Sequence, residues 1–350
     1  MIKNTVSLGM ILALGCLGAG AETKLPYWRD LNVVAVNKQA PHTDFRSYPD
    51  RTMALGNNNE TNPRRMSLNG TWKFLYSDSQ KALPDGVEKS GLDTSGWADI
   101  KVPGNWELQG FGTAIYTNIP YDFMPSNPNP PTLPDEVPVG VYRRTFTVPS
   151  DWKGDDIFLH IAGSKSGTYV YVNGKEVGYS EDSKNPAEYL LNPYLRQGEN
   201  EIVIKCMRYS TGSYLEDQDF FRISGIERDV YLYARPKTAV SDFRITSALD
   251  DTYRNGVFRL YTDVTNSATA PSKVKVTYDL MDAAGKQVLS DSKSVTVGEG
   301  KTVEVAFDTK TIENVKAWSS ETPELYNLII TVSNADGAVS ESIHGWKSGR

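Results

Sequence analysis

Histidine and cysteine are the scarcest chemically active residues here, three of the first and two of the second among 350. The histidines, His42, His160 and His344, are too few and too scattered for a histidine-rich zinc centre. Cys16 lies in an N-terminal apolar run that is expected to be removed, which leaves one thiol, Cys206, and excludes an intrachain disulfide. Cys206 sits in the strand-like run Glu201-Ile202-Val203-Ile204-Lys205-Cys206-Met207 with no histidine nearby, so it reads as a buried inert thiol. Positive charge is short as well: 37 Lys and Arg against 43 Asp and Glu leave a net charge of -6. That balance excludes the basic surface a nucleic-acid partner requires, and does not suit a protein held on anionic membranes. A neutral or polar ligand fits better. The apolar run from Val6 to Leu17 is too short to anchor the chain across a bilayer, so no transmembrane segment is expected. Helical periodicity is almost absent.

The first residues do carry a pattern. Met1-Ile2-Lys3 is a basic start, the apolar run follows, and Ala19-Gly20-Ala21 gives the small-x-small site of a signal peptidase. The expectation is a mature protein beginning at Glu22, periplasmic or extracellular. Gly15-Cys16 echoes a lipidation site, against which Ala13 is a poor residue three positions earlier.

Beyond it, short runs rich in Val, Ile, Thr, Tyr and Phe alternate with turn residues, the signature of an all-β chain. Thr168-Tyr169-Val170-Tyr171-Val172 precedes Asn173-Gly174, the pair that favours a type I′ hairpin. Lys273 to Leu280 is predicted to pair with Gln287-Val288-Leu289 across Asp282-Ala283-Ala284-Gly285. Leu328 to Val332 and Ala338-Val339 flank Asn334-Ala335-Asp336-Gly337 in the same manner. Up to Arg235-Pro236-Lys237 the strands are interleaved with long loops, notably Pro125 to Pro138, of the kind that binds or covers something. After Ser241 they are shorter and more regular, as in a seven-stranded immunoglobulin-like sandwich.

Several segments are specific in their order. Ser67-Leu68-Asn69-Gly70-Thr71-Trp72-Lys73-Phe74 is followed by Val102-Pro103-Gly104-Asn105-Trp106-Glu107-Leu108-Gln109-Gly110 and then Ile115-Tyr116-Thr117-Asn118. Gly212-Ser213-Tyr214-Leu215-Glu216-Asp217-Gln218-Asp219 comes next, with Arg222, Ser224-Gly225-Ile226 and Arg228-Asp229-Val230. Trp318-Ser319 and Pro323-Glu324-Leu325-Tyr326 match more weakly. This series resembles glycoside hydrolase family two, and within it the β-galactosidases of the Escherichia coli type, over nearly the whole mature chain. After the signal peptide at 1–21, the resemblance implies a jelly-roll sugar-binding domain at 22–236 and an immunoglobulin-like sandwich at 237–345. Residues 346–350 would then begin a linker to a catalytic (β/α) barrel absent from this chain. Ile343-His344-Gly345-Trp346-Lys347 looks like the family's strand into the barrel, with His344 and Lys347 departing from the commonest pattern.

Such enzymes retain configuration with two carboxyl groups about 5 Å apart. In this family both are barrel glutamates, so no catalytic residue is expected here and the chain alone should be inactive. Ala54-Leu55-Gly56-Asn57-Asn58-Asn59-Glu60 echoes a Gly-Asn-Glu strand end, but lacks the apolar run before it. Two residues carry over to substrate. Asn118 corresponds to an asparagine that reaches galactose hydroxyls, a task suited to an amide that both donates and accepts; its alternative is a turn before Pro120. Asp219 corresponds to an aspartate that binds the galactose O6 hydroxyl and ligates sodium, and its alternative is an ion pair with Arg222 or Arg228. Glu216 and Asp217 are expected to support it. The family implies Na and Mg for the intact enzyme, with Asp219 the one sodium ligand present here. The implied partner is a β-galactoside, and full-length relatives often form homo-oligomers through these first domains.

Trp28, Trp72, Trp97, Trp106 and Trp152 each offer a flat face to a pyranose, yet strand context makes core packing the expectation for four of the five. Two rival readings share this sequence. A sister β-glucuronidase or β-mannosidase would keep the sandwiches without both substrate motifs. A free-standing carbohydrate-binding or surface-interaction protein would have the same fold, because fold does not fix function.

Overall fold

A computed structural model describes residues 25–216 and 218–348; the expected signal peptide at 1–21 and Asp217 lie outside the described residues. The architecture is all-β, in two sandwiches. The first has a seven-stranded antiparallel sheet in spatial order Ala35–Val36, Lys175–Ser180, Thr168–Val172, Glu199–Met207, Val139–Thr147, Gly70–Ser77, Ala98–Val102. It faces a four-stranded sheet ordered Ala187–Leu190, Asp156–Ile161, Val230–Arg235, Arg65–Ser67. Trp72, Phe74, Trp106, Tyr142, Leu159, Ile204 and Leu232 are among the side chains buried between them.

The composition of the central strand Thr168–Val172 explains its unbroken burial. Val170 and Val172 enter the core between the sheets, while Tyr169 and Tyr171 point to the opposite side of the same sheet. There they meet Trp28, Val87, Leu133, Val137 and Met207. Leu133 and Val137 come from the Pro-rich loop, so that loop seals the outer face of the sheet. A sheet covered on both faces reads as a continuous apolar run instead of an alternating one. The following Asn173-Gly174 adopts positive φ at both positions, 53° and 75°, as a type I′ turn demands.

The second sandwich shows the opposite pattern. Strand Gly256–Asn266 alternates buried and part-exposed residues along its whole length, because only one of its faces meets a core. It lies between Thr238–Leu249 and an interrupted partner formed by Thr302–Ala306 and Lys310–Ile312. The other sheet runs Val339–Ser348, Tyr326–Asn334, Ser272–Met281, Gln287–Val297. The predicted pairings hold: Leu280 opposes Leu289, and Ser333 opposes Val339.

One strand of this second sandwich comes from the N-terminal segment. Arg46–Tyr48 pairs with Val339–Ser348, placing Arg46 opposite His344. Helix Arg51–Gly56 follows, capped by the Asp50 carboxylate accepting from Met53 N–H, and ends on Asn57 in the left-handed conformation. Tyr48 and Ala54 pack there on Met281 and Ile329. The sequence division at 236 assigned this segment to the first sandwich. Three residues of strand carry too little periodicity to reveal a distant partner. Buried Glu341 ties the junction, accepting from Ser47 Oγ at 2.7 Å, Val240 N–H at 3.0 Å and Arg235 Nε at 3.3 Å.

Candidate sugar-binding site

A two-stranded ribbon stands apart from the sheets. Ile115–Thr117 pairs antiparallel with Phe220–Arg222, with Thr117 opposite Phe220, Tyr116 opposite Phe221 and Ile115 opposite Arg222. Asn118 and Asp219 are the residues just beyond the ribbon's last pair, Thr117 and Phe220, one on each leg. The ribbon thus brings two residues a hundred positions apart to one tip, and both are exposed. Thr117 Oγ1 accepts from Ile119 N–H at 3.2 Å and turns the chain away beyond Asn118.

Side chains on a ribbon alternate between its faces. Tyr116 and Phe221 are 63% and 59% exposed, with ring centroids 5.0 Å apart. Thr117 and Phe220 are half-buried on the other face. Three cations surround the Phe220 ring: Lys165 Nζ at 4.5 Å, Lys184 Nζ at 4.7 Å and Arg222 Cζ at 4.9 Å. Burial, reinforced by neighbouring Lys184, lowers the pKa of the Lys165 ammonium. Glu216 lies beside this layer; its carboxylate accepts from Ser183 N–H at 2.9 Å, and burial raises its pKa. Glu216 therefore holds the loop at Ser183.

The base of the ribbon is fixed by Arg208, which is 4% exposed. Its Nη2 donates to Thr113 C=O at 3.0 Å and to Arg222 C=O at 3.1 Å, one from each leg. Glu107, buried and with its pKa raised by desolvation, lies 3.5 Å from Arg208 Nη1 and accepts from Ser224 N–H at 2.8 Å. The clamped ribbon thus presents two aromatic rings to solvent, with an exposed amide and carboxylate just beyond its last pair.

Other sequence candidates fall elsewhere. Trp28, Trp72, Trp106 and Trp152 are core residues, and half-buried Trp97 carries Arg143 5.6 Å from its ring centroid. Burial raises the Cys206 thiol to about 12, so it stays protonated. Glu60 follows a helix C-cap, and the amide oxygen of Asn57 in the echoing motif accepts from Tyr48 Oη at 3.1 Å. Sequence reading missed Tyr116 and Phe221 as exposed tip aromatics. The available signal was the two-residue spacing of Tyr116 from Asn118 and of Phe221 from Asp219.

A second polar constellation lies in a cleft of about 830 Å³ between the N-terminal segment and the four-stranded sheet. Glu188 is bonded by His160 Nδ1 at 2.6 Å, His42 Nε2 at 2.9 Å and Tyr233 Oη at 2.7 Å. Burial disfavours its ionised form, but the hydrogen bonds from His160 and His42 prevail and hold its pKa well below the carboxylate range. His42 is raised by its bond to Glu188, against the opposing effect of burial. Every polar atom of that carboxylate is already engaged.

Comparison with known proteins bears on the two sandwiches as domains. The family description "Glycosyl hydrolases family 2, sugar binding domain" matches residues 65–236, and "Glycosyl hydrolases family 2" matches 238–345. The chain belongs to glycosyl hydrolase family 2. It is 35% identical over 324 residues to a β-galactosidase of Priestia megaterium, covering 91% of this chain and 31% of that protein. A Vibrio cholerae β-galactosidase is 37% identical over 322 residues, covering 90% and 30%. The chain thus spans about three tenths of the length of these curated relatives. Solved structures share the fold: a Bacteroides uniformis β-glucuronidase matches with TM-score 0.66 and 22% identity, over 80% of this chain and 32% of that one. A Bacteroides vulgatus β-glycosidase matches with TM-score 0.61 and 22% identity, over 82% and 34%. No catalytic barrel occurs among the described residues, and none of their helices is long and apolar enough to cross a membrane.

Proposed function

We propose that this family 2 chain is the exported, non-catalytic N-terminal portion of a retaining exo-β-galactosidase, and that Asn118 and Asp219 complete its subsite for the terminal galactose. The observation that supports this reading is the ribbon register. Asn118 and Asp219 follow its last pair, Thr117 and Phe220, one on each leg, and both are exposed and free of the core that would explain them as packing. An amide can both donate to and accept from a sugar hydroxyl, while a carboxylate accepts strongly from one. The same carboxylate would disfavour a uronate at this tip by like-charge repulsion, which favours a galactoside over the glucuronide of a sister enzyme.

Asp219 supplies at most two oxygens to sodium, whereas hard cations such as calcium and magnesium collect about six or more. No group of three or more His, Cys, Asp or Glu side chains suited to a metal occurs among the described residues. These residues do not form a Na or Mg site by themselves; the other ligands would have to come from the catalytic portion.

Reading the coding sequence past Arg350 is the direct test. A barrel with two glutamates in frame is expected, and a stop codon or unrelated domain would favour a free-standing carbohydrate-binding protein. The isolated chain should then hydrolyse no aryl β-galactoside above background. For export, N-terminal sequencing of cellular material should find Glu22 first; retention of Met1 would count against it.

A further inference from the structure

The geometry points to a second sugar subsite: the exposed rings of Tyr116 and Phe221 form a stacking platform for the ring next to the terminal galactose. This rests on the reading of Asn118 and Asp219 as the galactose contacts. Tyr116 and Phe221 are a cross-strand pair with rings 5.0 Å apart, and both stay more than half exposed. Within the strands Tyr116 and Phe221 are exposed while Thr117 and Phe220 are half-buried, and Asn118 and Asp219, just beyond the last pair, are exposed. One face of the ribbon carries two aromatic rings, and each ring lies two residues along the chain from one of the proposed galactose contacts. An apolar platform with a few placed polar groups is the composition of a small-ligand site.

The spacing sets which ring is recognised. Two residues along a strand span about 7 Å, roughly one pyranose ring, so a galactose held at Asn118 and Asp219 places its aglycone over the aromatic pair. The electron-rich faces of the rings attract the C–H bonds of a sugar's apolar face. The platform is also held firmly: Phe220, between these residues, is gripped by three cations on the far face, and Arg208 bonds both legs. A lone apolar patch would not dictate a sugar. The adjoining amide and carboxylate do, and the sugar-binding family assignment of residues 65–236 agrees.

The test compares methyl β-galactoside with lactose on the 350-residue chain, by NMR titration and saturation transfer. Saturating the aromatic protons should transfer to the glucose ring of lactose. Tyr116→Ala and Phe221→Ala should each weaken lactose about three- to tenfold and leave methyl β-galactoside unchanged. Tyr116→Trp should restore or tighten lactose binding. Both residues are exposed, so circular dichroism and urea midpoints should match the parent. If both sugars bind, Asp219→Asn weakens both, and the aromatic variants alter neither, the platform is wrong while the galactose reading stands. If the aromatic variants change only sedimentation behaviour, the pair is a protein-docking surface and the inference falls. If the parent binds neither sugar, both readings fall together.

Discussion

The ribbon tip and the Glu188 clasp contain similar chemistry in opposite states. In the clasp, a buried carboxylate meets His160, His42 and Tyr233 within 2.9 Å. At the tip, Asn118 and Asp219 stand in solvent beside uncovered aromatic rings. A buried polar cluster must satisfy itself or destabilise the fold, so completeness marks it as structural. An exposed pair on a clamped ribbon, with no side-chain hydrogen bond or ion pair among the described residues, leaves its hydrogen-bonding capacity for a ligand. The contrast teaches that titratable groups in a cleft are weaker guides to a site than unspent polar groups on a rigid element.

Substitutions should separate the two regions sharply. The largest effect on stability is expected at Glu188. Glu188→Ala leaves two histidines and a phenol without their partner, and breaking a buried charged network costs about 3–5 kcal/mol. Urea denaturation of the chain should show it, with any sugar binding at the tip preserved in the folded fraction. Asp219→Asn should do the reverse. In the polypeptide that carries the catalytic portion, losing a charged hydrogen bond worth about 1.5–3 kcal/mol predicts a ten- to hundredfold fall in kcat/KM for galactosides. Sodium activation should weaken too, and the loss should shrink for arabinosides, which lack the 6-hydroxyl. The urea midpoint should stay within about 0.5 kcal/mol of the parent. A lowered midpoint with unchanged galactose-over-arabinose preference would make Asp219 a structural ion-pair residue.

A smaller effect follows from pH. His42 has its pKa raised in the folded state by Glu188, so its contribution is complete below the unfolded histidine value and is lost as pH rises through the raised value. Glu188 is depressed, so its contribution is present above the unfolded carboxylate value and lost as pH falls through the folded one. Stability should therefore plateau between these limits and decline by about 1 kcal/mol on the alkaline side of the His42 titration. His42→Gln should flatten that decline in denaturation curves taken across pH, whereas a slope that survives would place its origin elsewhere. The smallest effect belongs to Glu60→Gln, on an exposed turn after a helix cap, which should change neither stability nor sugar binding by more than about 0.5 kcal/mol.

Much of the fold was legible because β-sandwiches write themselves locally. Asn173-Gly174 demanded its hairpin, and the alternation from Lys273 to Leu280 found its partner across a short turn. The candidate site was legible as motifs but not as a place, since the pairing of 115–117 with 220–222 spans a hundred residues and carries no local signal. The crossing of Arg46–Tyr48 into the second sandwich was hidden for the same reason. The aromatic tip escaped because attention to stacking fell on tryptophan, and Trp28, Trp72, Trp106 and Trp152 are used for the core. The exposed rings are a tyrosine and a phenylalanine, whose identities alone do not distinguish core from surface.

The most direct test of the tip as the galactose site is an amide chemical-shift map of the chain titrated with methyl β-galactoside. Shifts should concentrate at residues 116–119 and 218–221 and vanish in Asp219→Asn, with the amides around Glu188 and Tyr233 silent. Shifts that map to the Glu188 cleft, or that persist in Asp219→Asn, would contradict the assignment.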